Sequence, residues 1–219
     1  MKLLMLRGGK PIDTRNDMAR VQILFAHPGQ KHSNVNLELA KVASSTDGIT
    51  FVDLYARYPR FKIDIDHEQE RLVHHDVLVL QFPIYWYSTP SLLKEWQDLV
   101  LEYGFAYGPG GDKLKGKLCL PVVTAGGLEQ AYCEAGSNRF GLRALLAPLE
   151  QTAGLCQMHY LPPFALFSAL KARTDGRGQS HAKRYRALLE ALRDDRLDLK
   201  RAAELELLSD DALPINGKA

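Results

Sequence analysis

The chain has 219 residues, a length that suits one generous domain with tails. A hydrophobic share of 46% and a charged share of 25% are those of a soluble globular protein, and a formal net charge of +2 excludes nucleic-acid binding through bulk charge. Cys119, Cys133 and Cys156 are widely spaced and form no C-x-x-C pair, which argues against a disulfide scaffold and for a reducing compartment. No apolar run approaches the ~18 residues of a membrane span. The apolar block inside Met1–Arg7 is too short for a signal-peptide core, so a cytoplasmic location is expected.

Residues 1–19 contain Gly8-Gly9 and Pro11 and no sustained periodicity, and are read as an amino-terminal extension. From residue 20 strand and helix patterns alternate. Val21–Ala26 is an apolar run, a first buried strand. Ser33 suits an N-cap, and Val35, Leu39, Val42 and Ala43 follow at helical spacing. Ile49–Leu54 reads as a second strand and Ile65–His75 as a charged helix with few apolar positions. Val77–Phe82 is apolar on both faces, as a central parallel strand must be. Thr89 caps a helix with Pro90 at its first position, and Leu92, Leu93, Trp96, Leu99 and Val100 form its inward stripe. Leu118–Val123 is a fourth strand and Leu155–Tyr160 a fifth. Between them Phe140–Thr152 reads as a helix kinked or broken at Pro148. Ala182, Tyr185, Leu188, Leu189 and Leu192 mark the last domain helix, near residue 193. Residues 194–219 form a tail that can hold one more amphipathic helix before Pro214 and pack on a partner subunit, or remain a terminal arm.

Five strands alternating with helices imply an α/β fold, a parallel sheet with helices on both faces, either Rossmann-like or flavodoxin-like. The glycine fingerprint of dinucleotide binding is absent after the first strand. His27, Lys31, His32, Ser33, Asn34 and Asn36 stand there instead. Their donors, with the free N–H groups of a helix start, suit a phosphate; an ordinary capped helix under a polar loop fits equally well.

The run Q-F-P-I-Y-W-Y-S-T-P-S-L-L-K-E-W, from Gln81 to Trp96, is more telling. Tyr85, Trp86 and Tyr87 follow the central strand directly. Rings crowded at the carboxyl end of such a strand suit a flat heterocyclic ligand, because ligands of open α/β sheets sit outside the carboxyl ends of strands. The alternative is a filled core corner. After the fourth strand come Thr124, Ala125, Gly126 and Gly127, and the glycines let backbone approach a ligand closely. All three loops belong to one edge. Asp64 and Asp66 lack further ligands at metal-binding spacing and read as a helix start; His74-His75 closes that helix and favours its dipole. No G-x-S-x-G elbow or cysteine motif supports covalent catalysis.

With these residues in view, the chain resembles the flavodoxin-like NAD(P)H:quinone oxidoreductases, and within them the bacterial branch serving as ancillary subunits (KefF/KefG type) of glutathione-gated potassium-efflux systems. The resemblance covers roughly residues 20–193, in F-A-H-P-x-x-x-x-S-x-x-N (Phe25–Asn36), Phe82–Trp96, F-A-Y-G (Phe105–Gly108), T-A-G-G (Thr124–Gly127) and L-P-P-F (Leu161–Phe164). It implies a five-stranded flavodoxin-like sheet and a flavin, FMN with FAD as the alternative. His27 and Ser33, Asn34, Val35 and Asn36 would take the phosphate side. Pro83, Ile84, Tyr85, Trp86 and Tyr87 would line the isoalloxazine, and Thr124, Ala125, Gly126 and Gly127 its other edge. Phe105 and Tyr107 would line a substrate pocket completed by the second subunit of a homodimer.

Two departures stand out. Ala125 replaces a threonine that relatives often carry. Where the quinone reductases place a Tyr and, six residues on, a His beside the flavin, this chain has Tyr132 and Asn138. An amide cannot act as an acid at neutral pH, though it can donate a hydrogen bond. The resemblance therefore implies a ping-pong transfer of hydride from NADH or NADPH through the flavin to a quinone-type acceptor, with Tyr132 stabilising charge and Asn138 assisting. A rival expectation is a regulatory subunit docked on a potassium/proton antiporter at the inner membrane.

Overall fold

In the computed structural model of the chain, residues 18–29, 33–209 and 212–217 are described. The expected extension lies outside them save for Met18 and Ala19. Ala19 is already buried, and its N–H donates to the Arg193 carbonyl over 2.6 Å.

The elements follow in the order β1 (Val21–Phe25), α1 (Asn34–Ser44), β2 (Ile49–Asp53), α2 (Leu54–Arg57), α3 (Ile65–Val73), β3 (Val77–Pro83), α4 (Ser91–Val100) and β4 (Leu118–Thr124). Then come α5 (Leu142–Leu145), α6 (Ala147–Leu155), β5 (His159–Tyr160), β6 (Phe164–Leu166), α7 (Arg177–Arg193) and α8 (Leu199–Ala203). The strands are all parallel, ordered β2-β1-β3-β4-β5, and β6 also pairs with β4. This 2-1-3-4-5 order is the flavodoxin-like one.

The fifth strand is split. β5 pairs with the start of β4 and β6 with its end. Pro162 and Pro163 separate them, and proline has no N–H for a ladder. The expected strand from Leu155 is therefore corrected: Leu155 ends α6 and is exposed, and pairing begins only at His159. The helix expected over 140–152 breaks as the proline requires. Pro148 lies in the first turn of α6, where a missing N–H costs nothing. Pro90 is the N-cap of α4 rather than its first residue, a shift of one position.

Strand alternation sorts the core onto two faces. Leu24, Leu78, Leu80 and Phe82 pack with Leu92, Leu93 and Trp96 of α4. Val21, Ile23, Val77, Val79 and Leu120 pack with Leu39 of α1 and Tyr185, Leu188 and Leu189 of α7. Each such fully buried side chain contributes roughly 1.5–3 kcal/mol of burial.

One charge is buried under α4. Glu68 of α3 is 0% exposed and accepts from Tyr58 Oη at 2.6 Å and Trp96 Nε1 at 3.0 Å. Arg71 and Arg57 lie 3.3 and 3.6 Å from the same carboxylate. The last tryptophan of the aromatic motif is therefore a structural anchor.

The tail folds back on the domain. Asp198 caps α8, which is only five residues long. Leu197, Ala202 and Leu208 bury against the α1–α7 face, and Leu208 N–H donates to the Pro163 carbonyl at 2.9 Å. The tail's apolar residues thus cover this chain's own sheet. Among the described residues no helix is long and apolar enough to cross a membrane.

Candidate functional site

Register brings the three predicted loops to one level. Phe25 stands opposite Asp53 and Gln81, and Pro83 opposite Thr124. Backbone bonds carry the edge onward: Ile84 N–H to the Thr124 carbonyl and Ala125 N–H to the Leu166 carbonyl, each 2.9 Å.

In the first loop His27 is buried, and its Nδ1 accepts from Gly29 N–H at 3.1 Å. Burial lowers its pKa below the ordinary histidine value, against a smaller opposing pull from Asp53, so the ring is a neutral hydrogen-bonding group at neutral pH. Its ring meets Tyr85 edge-on, centroids 6.0 Å apart. Lys31 and His32 lie outside the described residues. Ser33 is the N-cap of α1, but its side chain makes no capping bond; Oγ accepts instead from Asn36 Nδ2 at 3.1 Å. Asn34 opens the helix, and Val35 is a core residue on the α7 side. Asn36, 4% exposed, donates to Thr124 Oγ1 at 2.7 Å, while its Oδ1 is buried without a partner.

The second loop refutes the core-corner alternative. Pro83 is buried, and Ile84 is partly so. Beyond them Tyr85 and Ser88 exchange backbone hydrogen bonds of 3.0 and 3.1 Å around a two-residue turn. Trp86 and Tyr87 occupy that turn at φ +48° and +65°, the pattern of a type I′ turn, which normally takes Asn or Gly. Neither donates its N–H to another described backbone group. Trp86 is 93% exposed and Tyr87 50%. These rings stand outside the core, on strained backbone. Strained residues of this kind cluster at functional sites, although Phe61, Gln157 and Asp195 share the conformation elsewhere in the chain.

The third loop holds Thr124 and Ala125 buried and Gly126 and Gly127 exposed. A Cβ on Gly126 would meet nothing within 4 Å, whereas one on Gly127 would come 3.2 Å from the Tyr132 ring. Tyr132 packs its ring on Phe167, centroids 5.1 Å apart. Burial raises its pKa above the ordinary phenol value, Tyr87 adds to this, and the neighbouring Asn138 amide opposes it. Tyr87 Oη in turn lies 3.4 Å from Asn138 Oδ1. Tyr132, Asn138 and the aromatic turn are thus one cluster.

Phe105 and Tyr107 share no hydrogen bond or ring contact with it among the described residues, though they pack on the same core cluster as Ile84 and Tyr132. They lie in the loop after α4. Phe105 N–H donates to the Glu102 carbonyl and its carbonyl accepts from Lys113, while Tyr107 sets its ring edge-on to Tyr103.

Sequence reasoning missed three contributors. Asp53 and Tyr55 follow β2 at the same edge: Asp53 caps α2, and Tyr55 Oη accepts from Leu92 N–H at 3.4 Å. Their signal was their place after a strand neighbouring β1. Phe167 follows β6, a strand the two prolines concealed. Beside Phe167, Arg177 and His181 line a cavity of about 310 Å³. Arg177 is already bound to Asp175 at 2.7 Å and to the Phe167 carbonyl, and Arg184 and Glu129 line the same cavity.

The residues present fit a flavin with a terminal phosphate. The edge offers an uncapped helix start for the phosphate, open space over Gly126 and exposed aromatic faces, while the unpartnered Asn36 Oδ1 can accept only from a donor on the ligand. Among the described residues there is no cluster of three metal-ligating side chains.

Comparison with known proteins agrees. A family model described as a flavodoxin-like fold matches residues 19–189. The glutathione-regulated potassium-efflux system ancillary protein KefG of Enterobacter sp. (strain 638) is 46% identical over 167 residues, covering 76% of this chain and 91% of that protein. Among solved structures, general stress protein 14 of Treponema denticola, in complex with FMN, is 39% identical with a TM-score of 0.74, covering 79% of this chain and 99% of that one. An NADPH-quinone reductase from P. pentosaceus is 30% identical with a TM-score of 0.70, covering 77% and 96%. A chain described as a thermophilic tryptophan halogenase from Streptomycin violaceusniger is 41% identical with a TM-score of 0.75, covering 77% and 98%. That last description does not fit the other three in function, and only its fold bears on this chain. By strand order, edge geometry and similarity across most of its length, the chain belongs to the flavodoxin-like family, beside the KefG ancillary subunits.

Proposed function

We propose that the protein is a flavin-dependent NAD(P)H oxidoreductase acting on a quinone-type acceptor. The observation that carries this reading is the edge cluster: Asn36 bonded to Thr124 beneath an exposed aromatic turn, with Tyr132 and Asn138 beside it. FMN is the favoured cofactor, supported by the FMN-bound relative; FAD is the alternative. When bound, the flavin supplies two-electron exchange, first with NADH or NADPH and then with the acceptor, in a ping-pong cycle.

The chain's own residues do the rest. Ser33 and the start of α1 would hold the phosphate side, with Asn36 orienting the Ser33 hydroxyl, and neutral His27 braces Tyr85. The N–H groups of Trp86 and Tyr87, which donate to no described backbone group, would be available to the polar rim of the flavin, and Gly126 leaves room for it. Tyr132, protonated at neutral pH as a phenol ordinarily is, would donate a hydrogen bond where negative charge develops. Phe105 and Tyr107 complete the pocket from a second copy, which makes the working form a homodimer.

Absorption spectroscopy of the purified protein, with release and identification of its flavin, tests the reading. NADH and NADPH oxidation with a simple quinone follows. Colourless protein that neither FMN nor FAD reconstitutes overturns it.

A second reading rests on the 46% identity to an ancillary potassium-efflux protein. Here the chain binds a potassium/proton antiporter at the cytoplasmic face of the inner membrane, and redox activity is secondary. Potassium efflux that needs this protein even when its turnover is abolished supports it; efflux that follows turnover alone removes it.

A further inference from the structure

β6 is three residues long, and β4 is the strand it pairs with. On its inner side it carries the third loop of the site. The Leu166 carbonyl accepts from Ala125 N–H at 2.9 Å. Just past the strand, Ser168 N–H donates to the Gly127 carbonyl at 2.8 Å and Ala169 N–H to the Ala125 carbonyl at 3.0 Å. Between them the Phe167 ring packs on Tyr132. Ala125, Gly127 and Tyr132 therefore lean on a strand too short to hold its own place.

The outer side of that strand is met by the tail. The Pro163 carbonyl accepts from Leu208 N–H at 2.9 Å, and Ala165 N–H donates to Ser209 Oγ at 3.2 Å. These are the polar groups that an edge strand leaves unpaired. Leu207 packs into the core on the α4 side of the sheet and Leu208 into that on the α7 side, so two adjacent leucines straddle the edge. Arg184 of α7 fastens the same segment. It donates to the Ser209 carbonyl at 2.8 Å and the Leu208 carbonyl at 3.5 Å, and its guanidinium lies 5.9 Å from the ring centroid of Phe164 in β6. The segment belongs to the part of the chain beyond residue 189, where the flavodoxin-like match ends.

We propose that Leu207–Ser209 is a clamp on β6, and that through β6 it positions the Ala125–Gly127 loop and Tyr132 for the ligand. This inference rests on the site reading above. It makes Leu208, Ser209 and Arg184 positioning residues, acting through backbone hydrogen bonds rather than by touching the ligand.

The test uses the full-length protein and two readouts. Amide hydrogen exchange without ligand, resolved by residue with NMR, reads the clamp; titration with FMN reads the site. Ser209→Ala deletes the acceptor of Ala165 N–H. Exchange at Ala165 should quicken roughly 5-fold, the worth of one hydrogen bond, and exchange at Ser168 and Ala169 should quicken with it. Ala26, whose N–H joins β1 to β3 at the Gln81 carbonyl, should be unaffected. FMN should bind ~3- to 5-fold more weakly. Ser209→Thr keeps the hydroxyl and should restore both. Arg184→Met frees the tail carbonyls by another route and should repeat the pattern. Asp76→Asn disturbs the opposite end of the sheet, where Asp76 accepts from Arg20 N–H, and should leave both readouts as in wild type. Faster exchange confined to Ala165, or unchanged FMN affinity in both Ser209→Ala and Arg184→Met, overturns the proposal. Wild-type protein that takes up no flavin removes the oxidoreductase reading instead, and exchange at Ser168 and Ala169 then decides the clamp alone.

Discussion

Asn36 Nδ2 donates to Thr124 Oγ1 over 2.7 Å, joining the first turn of α1 to the end of β4 across β1 and β3. The bond is buried, and it spans 88 residues of sequence. It ties the phosphate-side loop to the loop that would face the other end of the same ligand. Thr124→Val keeps the shape of the side chain and deletes the acceptor. Asn36 retains Ser33 as a partner, so the loss is one buried bond, worth about 1 kcal/mol in urea denaturation. Flavin retention should fall ~5- to 10-fold, because loop spacing changes as well. Retention equal to wild type would separate this bond from the ligand.

Trp86→Gly should move stability and binding in opposite directions. The ring is 93% exposed, so its removal takes little from the core, and φ +48° is a conformation glycine adopts without strain. The fold should be unchanged or up to ~1 kcal/mol more stable. Flavin occupancy should nevertheless drop. Tyr87→Gly should lower occupancy too, with loss of the Asn138 contact added. Thermal melts beside flavin fluorescence read both quantities; normal affinity in a well-folded Trp86→Gly protein would end the ring-wall role.

The legible parts of the fold were those where one pattern dominates. Val77–Phe82 is apolar on both faces because helices cover both sides of the sheet, and it read as a central strand. The aromatic motif was visible, but its exposure was not, since three adjacent rings suit a packed corner and a projecting turn alike. The two-residue turn is fixed by bonds between Tyr85 and Ser88, and nothing in tyrosine or tryptophan favours positive φ. β6 was hidden because three residues between two prolines and a turn show no period. Glu68 was the deepest miss. A glutamate within a charged helix reads as solvated, and only the meeting of α2, α3 and α4 supplies Tyr58, Trp96 and Arg71 to bury it.

That carboxylate carries a prediction of its own. Glu68→Ala leaves Trp96 Nε1 without its acceptor and Arg71, which is largely buried, without its counter-charge. Breaking a buried pair from one side costs roughly 3–5 kcal/mol, much more than any exposed ion pair here. Arg20–Asp76, with both side chains about half exposed, is the control: Asp76→Asn should change stability by ~1 kcal/mol or less. Chemical denaturation of the two variants checks the contrast. Because Trp96 lies on the helix that follows the aromatic turn, Glu68→Ala should also weaken flavin retention, whereas Asp76→Asn should not.

The last prediction concerns acid. His181 of α7 stacks on Phe164 with centroids 4.2 Å apart, and it is 5% exposed with Nε2 unpartnered. Burial holds its pKa down at about 3, with Arg184 adding to the effect. The unfolded chain takes up this proton near pH 6.5, the folded chain only near 3. Between those values the unfolded state binds more protons, so stability is complete above pH 6.5 and falls as the pH drops through the window. The loss from this residue alone is on the order of several kcal/mol by pH 3. His181→Phe keeps an aromatic ring against Phe164 and removes the titration. Whatever fixed cost that substitution carries, the difference in unfolding free energy between wild type and variant should change steeply between pH 6.5 and 3, in favour of the variant on the acid side. A difference independent of pH would mean that His181 takes up its proton while the protein stays folded.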